Sequence, residues 1–125
     1  MNGRDIYRAA LAQMGEPLTS EADYEEDVVL GKLNIMLPNL FVVNNLMRET
    51  RGKERMENIP VLTSLDAEQI GYEDEIERTV LPFGLAAILL LDDEEDNKAS
   101  FCNNKYYEAI RELQCVPKRA IEDVY

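Results

Sequence analysis

The amino-acid sequence predicts an all-α protein: a compact bundle of about four helices, with a long second helix, an extended loop and a partly free C-terminal tail. Three observations carry this. Four segments repeat apolar residues at spacings of three and four, the period of a helix that turns one face to a core. Residues that cap or stop helices fall at the margins of those segments. A chain of 125 residues with 46% hydrophobic and 30% charged content makes one globular domain with a single modest core. The division is residues 1–115 for the helical domain and 116–125 for a docking tail.

The first helix is expected from about Gly3 to Met14, capped by Asn2, with Asp5 in its first turn and Gly15 and Pro17 ending it. Ile6, Ala10 and Met14 form its stripe, widened by Tyr7 and Leu11. The second helix begins at Ser20 and Asp23, which resemble a capping box with Asp in place of Glu. Glu21, Glu25, Glu26 and Asp27 join Asp23 at the positive end of its dipole. Val29, Leu33, Met36, Leu40, Val43 and Met47 make its core stripe, and Leu30, Leu37 and Phe41 broaden it. Running to about Glu49, it is roughly 40 Å long at 1.5 Å per residue. Pro38 inside it predicts a kink.

Between Arg48 and Pro60 the periodicity is lost, and Gly52 and Pro60 mark a loop. Ile59 to Leu62 reads as a short extended piece, followed by a turn at Thr63 to Asp66. A third helix is expected from about Tyr72 to Leu91, with a stripe of Tyr72, Ile76, Val80, Phe83, Ala87 and Leu90 and a kink at Pro82. Its second half is apolar on nearly every side, as the central helix of a bundle should be. After the acidic break Asp92 to Asp96, a fourth helix should run to about Gln114, carrying Ala99, Cys102, Tyr106, Ala109 and Leu113, and Pro117 should stop it.

Charge and composition restrict the chemistry. With 13 basic and 25 acidic residues the net charge is −12, which disfavours gripping nucleic acid but allows a wall beside which DNA slides. There is no histidine, so the commonest general base and metal ligand is missing. Cys102 and Cys115 lack metal-ligand spacing and read as reduced, apolar thiols. No targeting segment is visible, and the apolar run Leu81 to Leu91 is about half the length needed to cross a bilayer, so a soluble protein without a membrane partner is expected.

Sites for catalysis are sparse. Asp92 to Asp96 places its carboxylates consecutively, without the glycine and closing Glu of a calcium loop, and reads as a solvated connection. Acid–base pairs could be drawn from Asp66, Glu68, Asp74 and Glu77, but 25 acids produce such pairs by chance. No phosphate-binding loop, dinucleotide fingerprint or serine elbow occurs, and Tyr24, Tyr72 and Tyr106 fall on apolar faces. The expectation is a protein that is not an enzyme and needs no cofactor or metal.

Two segments are candidates for docking. Arg48, Arg51, Lys53 and Arg55 form the one basic concentration, read either as a hydrated surface loop or as a contact to an acidic neighbour, another copy included. Val116, Pro117, Lys118, Arg119, Ile121, Val124 and Tyr125 form a terminus that could order on a partner.

Ile59-Pro60-Val61-Leu62-Thr63-Ser64-Leu65-Asp66, then Ile70, Tyr72-Glu73-Asp74, Leu81-Pro82-Phe83-Gly84-Leu85-Ala86-Ala87, Asp92-Asp93, and Phe101 with Tyr106 together resemble the head–tail connector (adaptor, head-completion) proteins of tailed bacteriophages. Met14-Gly15-Glu16, Leu33 to Leu37 and Asn44-Asn45 fit the same order of elements, while Pro38 departs from it. The resemblance implies a structural virion protein made in the host cytoplasm. It would form a ring, typically a dodecamer, beneath the portal protein, extend the DNA channel and carry the stopper or tail-completion protein. It also implies that the segment from Val116 to Tyr125 reaches onto the portal or a neighbouring copy. The competing readings are an acidic helical module that occupies a basic partner surface, and a small magnesium-dependent hydrolase using Asp92 and Asp93.

Overall fold

Helix α1, Gly3–Gln13, starts where Asn2 and Asp5 exchange bonds. The Asp5 amide donates to Asn2 Oδ1 at 2.9 Å and the Asn2 amide donates to Asp5 Oδ2 at 3.1 Å, a complete capping box. The computed structural model describes the backbone of residues 1–124 and the side chains of residues 1–114. Ahead of α1, the Ile70 amide donates to the Met1 carbonyl at 3.0 Å and Asn2 bridges to Gln69.

The second helix, α2, spans Glu26–Thr50 and begins later than its capping signal predicts. Leu18–Asp23 instead forms a 3-10 helix, and the Ser20 hydroxyl donates to Glu16 at 3.1 Å rather than capping α2. Ser20 and Asp23 stand three positions apart, as a capping box requires, but Pro17 fixes the entry and favours the tighter turn before α2 can start. Pro38 lies inside α2. The expected core stripe from Val29 to Met47 is buried throughout.

Residues 51–73 are irregular, and helical backbone resumes at 74. A π-helical turn, Ile76–Val80, feeds directly into α3, Leu81–Asp92. The Leu81 amide donates to the Ile76 carbonyl five residues back. This wider turn sits just before Pro82, whose ring would crowd the carbonyl four residues earlier in a regular helix. Most of α3 is buried, which bears out its expected central place.

The fourth helix, α4, spans Asp96–Val124 and so continues through Pro117. The expectation that Pro117 ends the helix is therefore corrected: one proline removes one amide donor, and the Lys, Arg and Ala that follow all favour helix. Residues 116–124 belong to α4. The four helices share one core, where Gly84 of α3 faces α2 and α4; a Cβ there would stand 2.9 Å from the Tyr106 ring.

Helices α1, α2 and α3 end alike. At each end a residue with positive φ follows the cap, and two amides turn back to the last carbonyls: Gly15 and Glu16 to Ala12 and Leu11, Gly52 and Lys53 to Glu49 and Arg48, Glu94 and Glu95 to Leu91 and Leu90. Gly15 and Gly52 have φ of 76°, and Glu94 has φ of 61°.

Candidate functional site

The basic concentration lies at the end of α2 and the start of the irregular segment, and its charges are turned inward. Arg51 pairs with Glu75 at 2.8 Å and with Glu73 at 3.2 Å, and Lys53 pairs with Glu73 at 3.0 Å. Glu73 is only 5% exposed. Arg55 pairs with Glu49 at 3.0 Å, and Arg48 Nε donates to the Glu54 carbonyl at 2.7 Å. The Arg51 guanidinium, donating to Glu75, holds that carboxyl below the usual range, and Glu75 in turn raises Arg51. Arg51 and Lys53 thus tie the end of α2 to the start of the helical backbone at 74. Arg48, moreover, belongs to α2 itself, not to a loop.

Three asparagines of α2 hold the irregular segment along the helix. Asn45 Nδ2 donates to the Met56 carbonyl at 3.1 Å while the Met56 amide donates to Asn45 Oδ1 at 2.8 Å. Asn34 makes the same double bond with Leu62, at 2.9 and 2.8 Å. Asn44 accepts from the Glu73 amide at 2.7 Å. Each side-chain amide thus copies the donor–acceptor edge that a neighbouring strand would offer, and segment 56–62 runs antiparallel to α2. Sequence reasoning saw Asn34, Asn44 and Asn45 only as parts of the resemblance. The missed signal was their position: polar residues within an otherwise apolar helix.

A second cluster gathers on Arg4, which pairs with Glu26 at 2.6 Å, Glu21 at 2.8 Å and Asp66 at 3.0 Å. Hydrogen bonding to Asp66, then to Glu21 and Glu26, raises Arg4, and Arg4 lowers Glu21 and Asp66. Among the candidate acid–base pairs, Asp66 is taken by Arg4 and Glu68 accepts from Thr63. Glu77, buried, accepts from the Met1 ammonium at 3.0 Å and the Gly71 amide at 3.1 Å. The structure brings these residues to different partners rather than into one pair.

In the acidic break, Asp92 pairs with Lys32 at 2.7 Å and Asp93 accepts from the Tyr24 hydroxyl. Burial, then Asp93, pushes the Tyr24 hydroxyl up; Tyr7, whose hydroxyl donates to the Glu21 carbonyl, is raised by burial to about 12. Among the described residues no three His, Cys, Asp or Glu side chains gather where they could hold a metal ion, and no helix is long and apolar enough to cross a membrane. Cys102 is buried in α4 and its thiol is raised by desolvation. The side chains of Val116, Pro117, Lys118, Arg119, Ile121, Val124 and Tyr125 lie outside the described residues.

The largest departure from an ordinary surface is on α2. Ile35 is 71% exposed, Val42 73%, Val28 47% and Leu46 40%. A groove beside this stripe, between α2, α3 and α4, is lined by Ile35, Asn39, Gly84, Ile88, Tyr107 and Ile110 among others. No protein-family model, no curated protein and no solved structure matches the chain.

Proposed function

We propose that the chain is a structural assembly subunit of the head–tail connector kind, an adaptor that docks beneath a portal ring. In this role copies of the chain line up around the portal, extend the DNA channel and present a surface to a stopper or tail-completion protein. The virion's head–tail interface is then its place of work. The observation that carries the reading is the order of elements: a short helix, a long helix, an irregular segment tied along it, a buried helix and a long last helix. This is the order the resemblance implies. The net charge of −12 favours the same role, because a negative wall repels duplex DNA and lets it pass.

Carboxylates that could serve chemistry are engaged in holding the fold, as with Glu73, Glu77 and Asp66. The arrangement suits a rigid body that binds through its surfaces. The terminal part of α4, from Val116 onward, is the segment assigned to the portal or a neighbouring copy.

The test mixes the purified chain with portal rings from the same genome and images the product by electron microscopy. Density added beneath the portal supports the role, and its loss on deleting residues after Gln114 assigns the docking to that segment. Portal rings that stay bare at a large excess of folded chain overturn it.

A further inference from the structure

Of the five methionines, Met14, Met36 and Met47 are buried, and only Met1 and Met56 reach the surface in part. Met56 heads the segment that lies along α2, beside a surface hollow lined by Phe41, Glu54, Arg55 and Glu57. Its sulfur accepts from Asn44 Nδ2 at 3.2 Å. Asn44 is fully buried, and among the described residues this sulfur is the one partner of its amide nitrogen. At the other end of the same side chain, Oδ1 accepts from the Glu73 amide at 2.7 Å. The Met56 methyl reaches toward Gly71, where an added Cβ would stand 3.9 Å from Cε. One thioether therefore joins α2, the head of the irregular segment and the approach to the π-helical turn.

A thioether sulfur has two lone pairs and gives one up readily to a peroxide. We infer that Met56 is an oxidation-sensitive latch, a modification site for hydrogen peroxide or an alkyl hydroperoxide. A sulfur lone pair attacks one peroxide oxygen, the S–O bond forms and the O–O bond breaks. A proton passes to the departing oxygen, which leaves as water or an alcohol. The sulfur is oxidised by two electrons to the sulfoxide and the peroxide is reduced by two.

The product no longer fits. Its sulfur carries positive charge and stops accepting from Asn44, so a buried amide N–H is left without a partner unless the side chain moves. At 3.2 Å there is no room for an oxygen between the sulfur and Asn44 Nδ2, so oxygen adds on the other lone pair and one sulfoxide epimer dominates. Moving the side chain pulls on the backbone of the same residue, which Asn45 holds at 3.1 and 2.8 Å. The segment then bows away from α2 between Lys53, still on Glu73, and Leu62, still on Asn34. Opening bares Asn44 and Asn45, both buried when the latch is closed. The latch stands independently of the connector reading, because it follows from the sulfur's place alone.

The test treats the full chain with dilute hydrogen peroxide and follows each methionine by peptide mass spectrometry. Met56 should oxidise roughly tenfold or more faster than Met14, Met36 and Met47, and one of the two stereospecific sulfoxide reductases should restore most of it. In the oxidised chain the Met56 amide should exchange hydrogen roughly tenfold or more faster, with unchanged helical content, and reduction should reverse this. Met56→Leu, which cannot be oxidised, should show no further change on the same treatment, so an effect arising at Met1 is told apart. Oxidation of Met56 no faster than that of the three buried methionines overturns the inference, as do equal amounts of both epimers. Unaltered exchange after full oxidation of Met56 overturns it too, and so does an equal response in Met56→Leu. Bare portal rings beside a working latch would sink the connector reading alone.

Discussion

Asn45 and Met56 meet twice, amide to carbonyl and carbonyl to amide, at 3.1 and 2.8 Å. The pair converts one turn of a helix into a docking edge for a segment with no secondary structure of its own, and Asn34 repeats it at Leu62. Asn45→Ala leaves a part-buried amide and carbonyl of Met56 without partners. The expected loss is about 1–3 kcal/mol, with a similar loss for Asn34→Ala. Urea unfolding followed by circular dichroism measures both, and losses under a few tenths of a kcal/mol would remove the asparagines from the fold's supports.

The end of α3 predicts a gain. Glu94 occupies the left-handed position that Gly15 and Gly52 fill at the ends of α1 and α2. A side chain with a Cβ is disfavoured there by roughly 1 kcal/mol or more. Glu94→Gly should raise stability by up to about 1 kcal/mol, and Gly15→Ala should lower it by a comparable amount. Thermal melts of the two variants check the opposed signs; a loss in both would contradict the account of this helix end.

Glu73 is the buried partner of two cations, so their removal should not be additive. Arg51→Ala or Lys53→Ala alone leaves the carboxylate one cation, and each should cost about 1 kcal/mol or less, both being surface side chains. The double variant leaves a buried carboxylate unpaired and should exceed the sum of the singles by about 1 kcal/mol or more. A double-mutant cycle in urea reads the difference directly. Strict additivity would mean that Glu73 is not shared.

Acid should loosen the N-terminal cluster before the core. Glu21, bonded to Arg4, and Glu75, bonded to Arg51, have carboxyls held below the ordinary 4.5, and Asp66, bonded to Arg4, below 3.8. Groups lowered on folding add stability that is complete above the unfolded value and is lost as pH falls through the folded one. The melting temperature should therefore hold from neutral pH to about 5 and decline below about 4.5. Arg4→Ala should flatten that decline. An acid limb of unchanged slope in Arg4→Ala would argue against this assignment.

Much of the fold is legible in the sequence because helical periodicity is local. The stripes of α1 to α4 fall in the core or, for Phe83, Tyr106, Ala109 and Leu113, pack partly buried against it; the Asn2–Asp5 cap forms, and Gly15 and Gly52 stand at helix ends where glycine's freedom is needed. The errors arise where a local signal competes with a tertiary one. Ser20 and Asp23 spell a cap, but the turn set by Pro17 and the bond from Ser20 to Glu16 take precedence. Pro117 spells a stop, yet α4 passes through it. Glu94 gives no turn signal, since only its backbone is used.

The candidate sites were less legible for the same reason. Four cations close together in sequence read as a free basic surface, but Arg51 and Lys53 find acids 20 to 24 residues away that no pattern could connect to them. Reversing Arg48, Arg51 and Arg55 to Glu therefore probes folding as well as docking. The exposed face of α2 escaped notice because a broad apolar helix reads as buried all round, and which side is left open depends on where α4 and segment 56–62 lie.

The tethers at Asn34 and Asn45 also set how the chain can change its length. The eleven helical steps between them span about 16 Å, while the six steps from Met56 to Leu62 reach only about 20 Å fully drawn out. That stretch is nearly taut. Removing two residues from it must unhook one tether, whereas inserting several adds only slack, at a loop-closure cost that grows with the logarithm of length. Lengthening is tolerated here and shortening is not, so variation in this span should run in one direction.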